Sequence, residues 1–369
     1  MNTSRFALND NQRQKEVTLL PAGNHEIRFQ DGRQFIVHVP ANASNTPMPA
    51  MFVFSGSAHP QFDPKDFAAE TGMNTISDDS DHPFVVVYAL PKKHLLGRYS
   101  KTPAYAWNTK GVLIDGEDQA HAGYDDIDYV KAIVELLPTI ANVDASHKDW
   151  GAIGFSHGGV FLNLLVSEIP CLFPSIALVG TTMQEDYQYH LQRGNAQNVM
   201  ILHLLGDRDT LPIRGLATQS LKYDLLQMLR FIFNLFHAKR LIDAFDPLAP
   251  INNADQNPAL QNSFYAEQLR SEWGFDQVTT DLATPKNETR KDFRRVYTPK
   301  KRDDIRRVTI FGLVLAQHCY PAPDYGVRTN ATTKYTEFDA SREFVKLFLR
   351  FNRAGTELRR GPPSPALVP

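Results

Sequence analysis

Trp150-Gly151-Ala152-Ile153-Gly154-Phe155-Ser156-His157-Gly158-Gly159-Val160-Phe161-Leu162-Asn163-Leu164-Leu165 is the stretch whose reading decides the fold. Residues 150–155 form a short apolar run of the kind that fills a strand buried on both faces. Residues 160–165 read as a buried helix. Between them, Gly154-Phe155-Ser156-His157-Gly158 fits G-x-S-x-G, a sharp strand-to-helix turn with a serine at its tip. Side chains two residues before and two after that serine would collide, so both places need glycine. The turn lifts the hydroxyl out of the sheet and beside a helix N-terminus, whose backbone N–H groups can stabilise an oxyanion. A glycine-rich turn without chemistry has the same spacing; the strand before it and the helix after it favour a nucleophile.

Outward from this turn, further apolar runs rich in Val, Ile and Phe lie at 51–54, 84–90, 175–179, 199–205 and 308–316. Helical patterns fall at 125–137, 159–168, 265–273 and 341–351. Strands alternating with helices predict an α/β fold with a doubly wound, mostly parallel sheet. Residues 25–40 alternate apolar and polar around Asp31-Gly32, a hairpin signature. Residues 216–263 break the rhythm: an apolar helical pattern over 221–242 precedes Pro247, Pro250 and a polar run. They read as a helical cap-like insertion dividing one domain into 1–215 and 264–355. A lid, an oligomer contact and a membrane-surface helix all fit such a segment, and the lid is favoured by fold analogy. Residues 286–307 hold ten Lys or Arg against four Asp or Glu and read as a solvated loop. Residues 356–369, with prolines crowded at the end, read as a disordered tail.

A serine nucleophile needs a base, and the base needs an orienting carboxylate. On this kind of sheet the chain order is serine, acid, histidine. The run 199–205 leads into Gly206-Asp207-Arg208-Asp209-Thr210-Leu211-Pro212, where two aspartates leave the end of a strand. The run 308–316 ends in Gln317-His318-Cys319-Tyr320-Pro321, which places His318 as the base. Asp207 and Asp209 both remain open as the acid on these grounds.

These segments resemble the polyhydroxybutyrate depolymerase and feruloyl or acetyl-xylan esterase group of the α/β-hydrolases. The resemblance rests on the serine turn, on the Asp207–Pro212 segment as an acid loop one residue short, and on His318-Cys319-Tyr320-Pro321 as a histidine motif with Tyr320 in place of tryptophan. Residues 66–74 and 125–130 add to it. It covers roughly residues 25–215 and 264–350. The resemblance implies Asp209 as the acid, and backbone N–H groups of Ser57 and His157 as the oxyanion donors. It departs at Phe54-Ser55-Gly56-Ser57, where the group has His-Gly, and at the 216–263 insertion. It also suggests that Trp107 lines the cleft, although a packing tryptophan fits equally well. Loops after the strands offer Leu211 and Tyr320 as further apolar lining, which predicts an apolar or aromatic acyl group.

The expected activity is therefore that of a serine esterase acting through an acyl-enzyme on a small-molecule or polymeric ester. An acyltransferase or peptidase on the same triad, and a non-catalytic binding protein on the same fold, are the alternatives. The formal net charge of −2 over 369 residues offers no bulk attraction for nucleic acid. No metal-ligand motif, phosphate loop or transmembrane run is legible, so no cofactor is expected. Two cysteines cannot build a disulfide framework. The polar first residues carry no apolar signal region, which suggests a cytoplasmic protein, with a secreted one whose signal has been removed as the alternative.

Overall fold

The computed structural model describes residues 19–43, 45–57, 64–94, 104–109, 124–169, 172–181, 200–206, 275–282, 293–299, 307–313, 320–321 and 338–360. The chain opens with strands β1 (Gly23–Arg28) and β2 (Gln34–Val39), an antiparallel hairpin in register Ile27 to Phe35. Gly32 turns it at φ 85°, a left-handed conformation that suits glycine. There follow β3 (Ala50–Phe54), helices α1 (Pro64–Thr71) and α2 (Met73–Asp78), β4 (Val85–Ala89), and a small ribbon of β5 (Lys92–His94) and β6 (Ala104–Ala106). Helix α3 (Tyr124–Ile140), β7 (Gly151–Phe155), α4 (His157–Glu168), β8 (Ser175–Val179) and β9 (Met200–Gly206) continue the alternation. The described chain closes with β10 (Phe275–Leu282), β11 (Phe293–Pro299), β12 (Arg307–Leu313) and α5 (Ala340–Arg360).

Among the described residues ten strands form one sheet in the order β1-β2-β4-β3-β7-β8-β9-β12-β11-β10. The six strands from β4 to β12 in that order are mutually parallel. The two flanking hairpin strands on each side run antiparallel. Alternate residues of each parallel strand serve different faces. Phe52, Phe54, Ala152, Ile176 and Leu178 join Ile133, Leu137 and Phe161 of α3 and α4 in one apolar cluster. Met51, Val53, Ile153, Ala177 and Val179 join Phe67, Met73, Phe344 and Phe348 of α1, α2 and α5 in the other. Both faces of the sheet are thus covered by helices, which makes the fold the doubly wound α/β architecture that the periodicity predicts.

Two readings from sequence are corrected here. The basic stretch 286–307 is not simply a solvated loop, because 293–299 is a strand paired to both β10 and β12. Adjacent Arg294 and Arg295 hide the alternation that a strand usually shows; Val296, the next residue, is buried. The C-terminal helix runs on to Arg360, past the 355 boundary. Phe344, Val345, Leu347, Phe348 and Phe351 form its buried stripe. The expected helix at 265–273 and the insertion at 216–263 lie outside the described residues.

The strand order also fixes where a ligand site belongs. From β3 the chain steps to β4 on one side, then crosses back to β7 on the other. The loops leaving β3 and β7 therefore diverge at their shared C-terminal edge, a topological switch point where a crevice opens in sheets of this kind.

Candidate active site

Ser156 stands at that switch point. Strand β7 ends at Phe155 and α4 begins at His157, leaving one residue to make the turn. Ser156 makes it with φ 52° and ψ −122°, one of two non-glycine residues with positive φ among the described residues. Such a conformation is costly for a residue with a Cβ and persists only where the surroundings enforce it. The Ser156 N–H donates to the Val179 carbonyl at 2.8 Å, and its own carbonyl accepts from Gly159 and Val160 at 2.9 and 3.1 Å. The turn is thus tied to β8 on one side and to the first turn of α4 on the other.

The flanking glycines are needed for space. A Cβ at Gly154 would lie 2.6 Å from the Gly158 carbonyl oxygen, and one at Gly158 would overlap the carbonyl oxygens of Phe54 and Ser55. Helix α4 can therefore press its N-terminus onto the end of β3 only because these positions are bare. Beyond β3, a Cβ on Gly56 would lie 3.1 Å from the Ser156 Cβ. The 55–57 segment thus passes directly beside the serine. Ser57 is exposed and His157 is buried, on the two sides of this approach.

The two aromatic residues expected to line the cleft are both buried. Trp107 has no exposed surface; its ring stacks on Phe161 with centroids 4.4 Å apart, and its indole N–H donates to the Ser55 carbonyl at 2.8 Å. It packs and tethers, as the other reading of that residue has it. Tyr320 is 4% exposed, lies edge-on to Phe67 and Phe155, and shares a 2.7 Å hydrogen bond with Ser341. Asp207, Asp209, Leu211 and His318 lie outside the described residues.

Sequence reading missed a buried ion pair at the start of α3. Asp126, in the first turn of α3, pairs with the Arg33 guanidinium and accepts the Asn108 N–H at 2.6 Å. Arg33 also stacks over the Tyr129 ring, 3.8 Å from its centre. Burial pulls the Arg33 guanidinium down, but the Asp126 carboxylate and its neighbours outweigh this and hold it above its ordinary value. One residue further, Thr109 Oγ1 hydrogen-bonds His157 Nε2 at 2.9 Å. Aspartates in a helix's first turn are ordinary N-terminal features, so nothing in the sequence marked Asp126 as buried.

Among the described residues no group of three or more His, Cys, Asp or Glu could hold a metal ion, and no helix is long and apolar enough to cross a membrane. The strand order, the switch point and the strained serine turn together give the α/β-hydrolase fold. No protein-family model and no curated protein sequence matches the chain. Among solved structures, it is similar to an acetyl xylan esterase from Aspergillus awamori, at 12% identity and a TM-score of 0.45, over 83% of this chain and 100% of that one. It is also similar to Est1E from Butyrivibrio proteoclasticus, at 9% identity and a TM-score of 0.39, over 91% of this chain and 100% of that one. An S-formylglutathione hydrolase from Agrobacterium tumefaciens aligns at 11% identity and a TM-score of 0.40, over 89% of this chain and 94% of that one.

Proposed function

We propose that this chain is a serine hydrolase that cleaves carboxylic esters through an acyl-enzyme formed on Ser156. The observation that carries the reading is the backbone of Ser156, held at φ 52° and ψ −122° at the C-terminal edge of a parallel sheet. Strain of this kind, held by the bonds to β8 and α4 and given room by bare glycines on either side, serves to expose a nucleophile. His318 takes the serine proton and later activates water, while Asp209 accepts the N–H of His318 and stabilises its charged form. The packing of Tyr320 against Phe155 supports this assignment. It ties the chain two residues after His318 to the residue just before the nucleophile. The N–H groups of Ser57 and His157 receive the oxyanion, which fits the approach of Gly56 to Ser156. With its ring held by Thr109, His157 serves through its backbone rather than as a base.

The substrate reading remains an ester with an apolar or aromatic acyl group, with the 216–263 insertion covering the cleft as a lid. Hydrolysis of p-nitrophenyl butyrate, p-nitrophenyl acetate and methyl ferulate, compared as kcat/KM, tests it. Methyl ferulate and butyrate are expected to lead; a strong preference for acetate would contradict the apolar acyl pocket. Asp209→Asn is expected to lose about 10⁴ in kcat and Asp207→Asn far less. The reverse ranking would move the acid to Asp207.

A further inference from the structure

We infer that residues 107–109 act as a positioning strap that sets both halves of the oxyanion site, with Thr109 holding the His157 side and Trp107 holding the 55–57 side. The inference rests on the serine-hydrolase reading of Ser156. Three consecutive residues of this segment each reach a different part of the chain. The Trp107 indole N–H donates to the Ser55 carbonyl at 2.8 Å. The Asn108 amide donates to Asp126 at 2.6 Å. The Thr109 hydroxyl meets His157 Nε2 at 2.9 Å. All three residues are buried, with Trp107 and Thr109 wholly so.

The two ends of the strap touch the two segments that flank Ser156. Ser55 begins the irregular segment whose next residue, Gly56, abuts the Ser156 Cβ. His157 follows Ser156 directly and opens α4. The middle of the strap is moored to something rigid: Asp126 is fixed by its ion pair with Arg33, whose second amino group reaches the Asp125 carbonyl at 3.4 Å. Upstream, β6 ties the strap to β5 just past the end of β4. The 55–57 segment belongs to no helix or strand, so the strap gives it the rigidity that oxyanion donors require. Donors aimed at a developing charge work only if their placement is settled before the reaction. Misplacement by about 1 Å can cost up to about 10²-fold in rate. None of the three residues needs to touch substrate; each acts through Ser55 or His157.

Two variants separate this role from plain packing. Thr109→Val keeps the shape and removes the hydroxyl; Trp107→Phe keeps an aromatic ring against Phe161 and removes the N–H. The readouts are the second-order rate of phosphonylation by a fluorophosphonate probe, kcat and KM on p-nitrophenyl butyrate, and the thermal midpoint. Each variant is expected to lower the labelling rate and kcat together by about tenfold, with KM within about twofold. Thr109→Ser, which retains the hydroxyl, restores both rates. Wild-type labelling and kcat in both folded variants would overturn the strap while leaving the hydrolase reading intact. A change in KM alone, or no rescue by Thr109→Ser, would overturn it as well. A wild-type protein that labels but hydrolyses no ester would remove the ester reading only, with the strap still judged by labelling. A wild-type protein that does not label would remove both.

Discussion

The ring of Tyr320 meets that of Phe155 edge-on, with centroids 5.8 Å apart and planes at 88°. Phe155 precedes Ser156, and Tyr320 follows His318 by two residues, so one aromatic contact joins the strand end carrying the nucleophile to the segment carrying the proposed base. Phe67 completes the cluster, stacked on Phe155 at 5.8 Å and edge-on to Tyr320 at 5.2 Å. Edge-to-face pairs of this kind contribute about 0.5–1.5 kcal/mol each beyond the area they bury.

Removing that ring should therefore affect stability and turnover together. Tyr320→Ala is expected to cost about 3–5 kcal/mol and to lower kcat. Tyr320→Phe keeps the ring and loses only the bond to Ser341, at about 1 kcal/mol, with kcat near wild type. Urea unfolding and ester turnover on both variants check this. Equal kcat in all three proteins would mean that the contact does not position the base.

The strain at Ser156 predicts an unusual order of stabilities. Ser156→Gly and Ser156→Ala both remove the hydroxyl, but only glycine adopts φ 52°, ψ −122° without penalty. The glycine variant should be the more stable of the two by about 1 kcal/mol, once its greater freedom in the unfolded chain is counted. Both should be inactive. An alanine variant at least as stable as the glycine one would mean that the turn is not strained.

Asp126 and Arg33 form a buried ion pair, with Arg33 6% and Asp126 1% exposed. Breaking one side of such a pair strands the other charge. Asp126→Asn is expected to cost about 3 kcal/mol or more in urea unfolding. A loss under about 1 kcal/mol would show that Asp125, 3.5 Å from Arg33, suffices alone.

His203 on β9 gives the fold a pH dependence. It is buried, hydrogen-bonds the Thr181 carbonyl at 2.8 Å through Nε2, and meets no hydrogen-bond partner at Nδ1 among the described residues. Burial pushes it down to about 4 from 6.5, against the smaller opposing effect of that bond. The unfolded chain takes up a proton below about pH 6.5, whereas the folded chain does so only near pH 4. Stability is therefore fully present above pH 6.5 and is lost as pH falls toward 4, by about 3 kcal/mol for this one group. His203→Gln should flatten that part of the pH–stability curve. An unchanged slope between pH 6.5 and 4 would contradict the assignment.

Much of this architecture was legible in the sequence because its signals are local. The parallel strands are short apolar runs, the hairpin carries Asp31-Gly32, and Gly154 and Gly158 mark a turn that tolerates no Cβ. What was not legible depends on partners far away in the chain. Trp107 looks the same in sequence whether it lines a cleft or caps a core; its indole N–H finds Ser55, 52 residues earlier. Asp126 looks like an exposed helix-start aspartate until Arg33, 93 residues away, is seen beside it. Strand β11 was hidden by its arginines, since its pairing with β10 and β12 rather than its side-chain pattern makes it a strand.

The most direct test of the central claim is the site of covalent capture by a fluorophosphonate, read by peptide mass spectrometry on the intact protein. The probe attaches only to a serine activated as a nucleophile. The account predicts a single stoichiometric adduct on the peptide carrying Ser156, with ester hydrolysis lost in proportion and no adduct on Ser156→Ala. Full ester turnover with Ser156 unmodified, or an adduct on another residue, would contradict it.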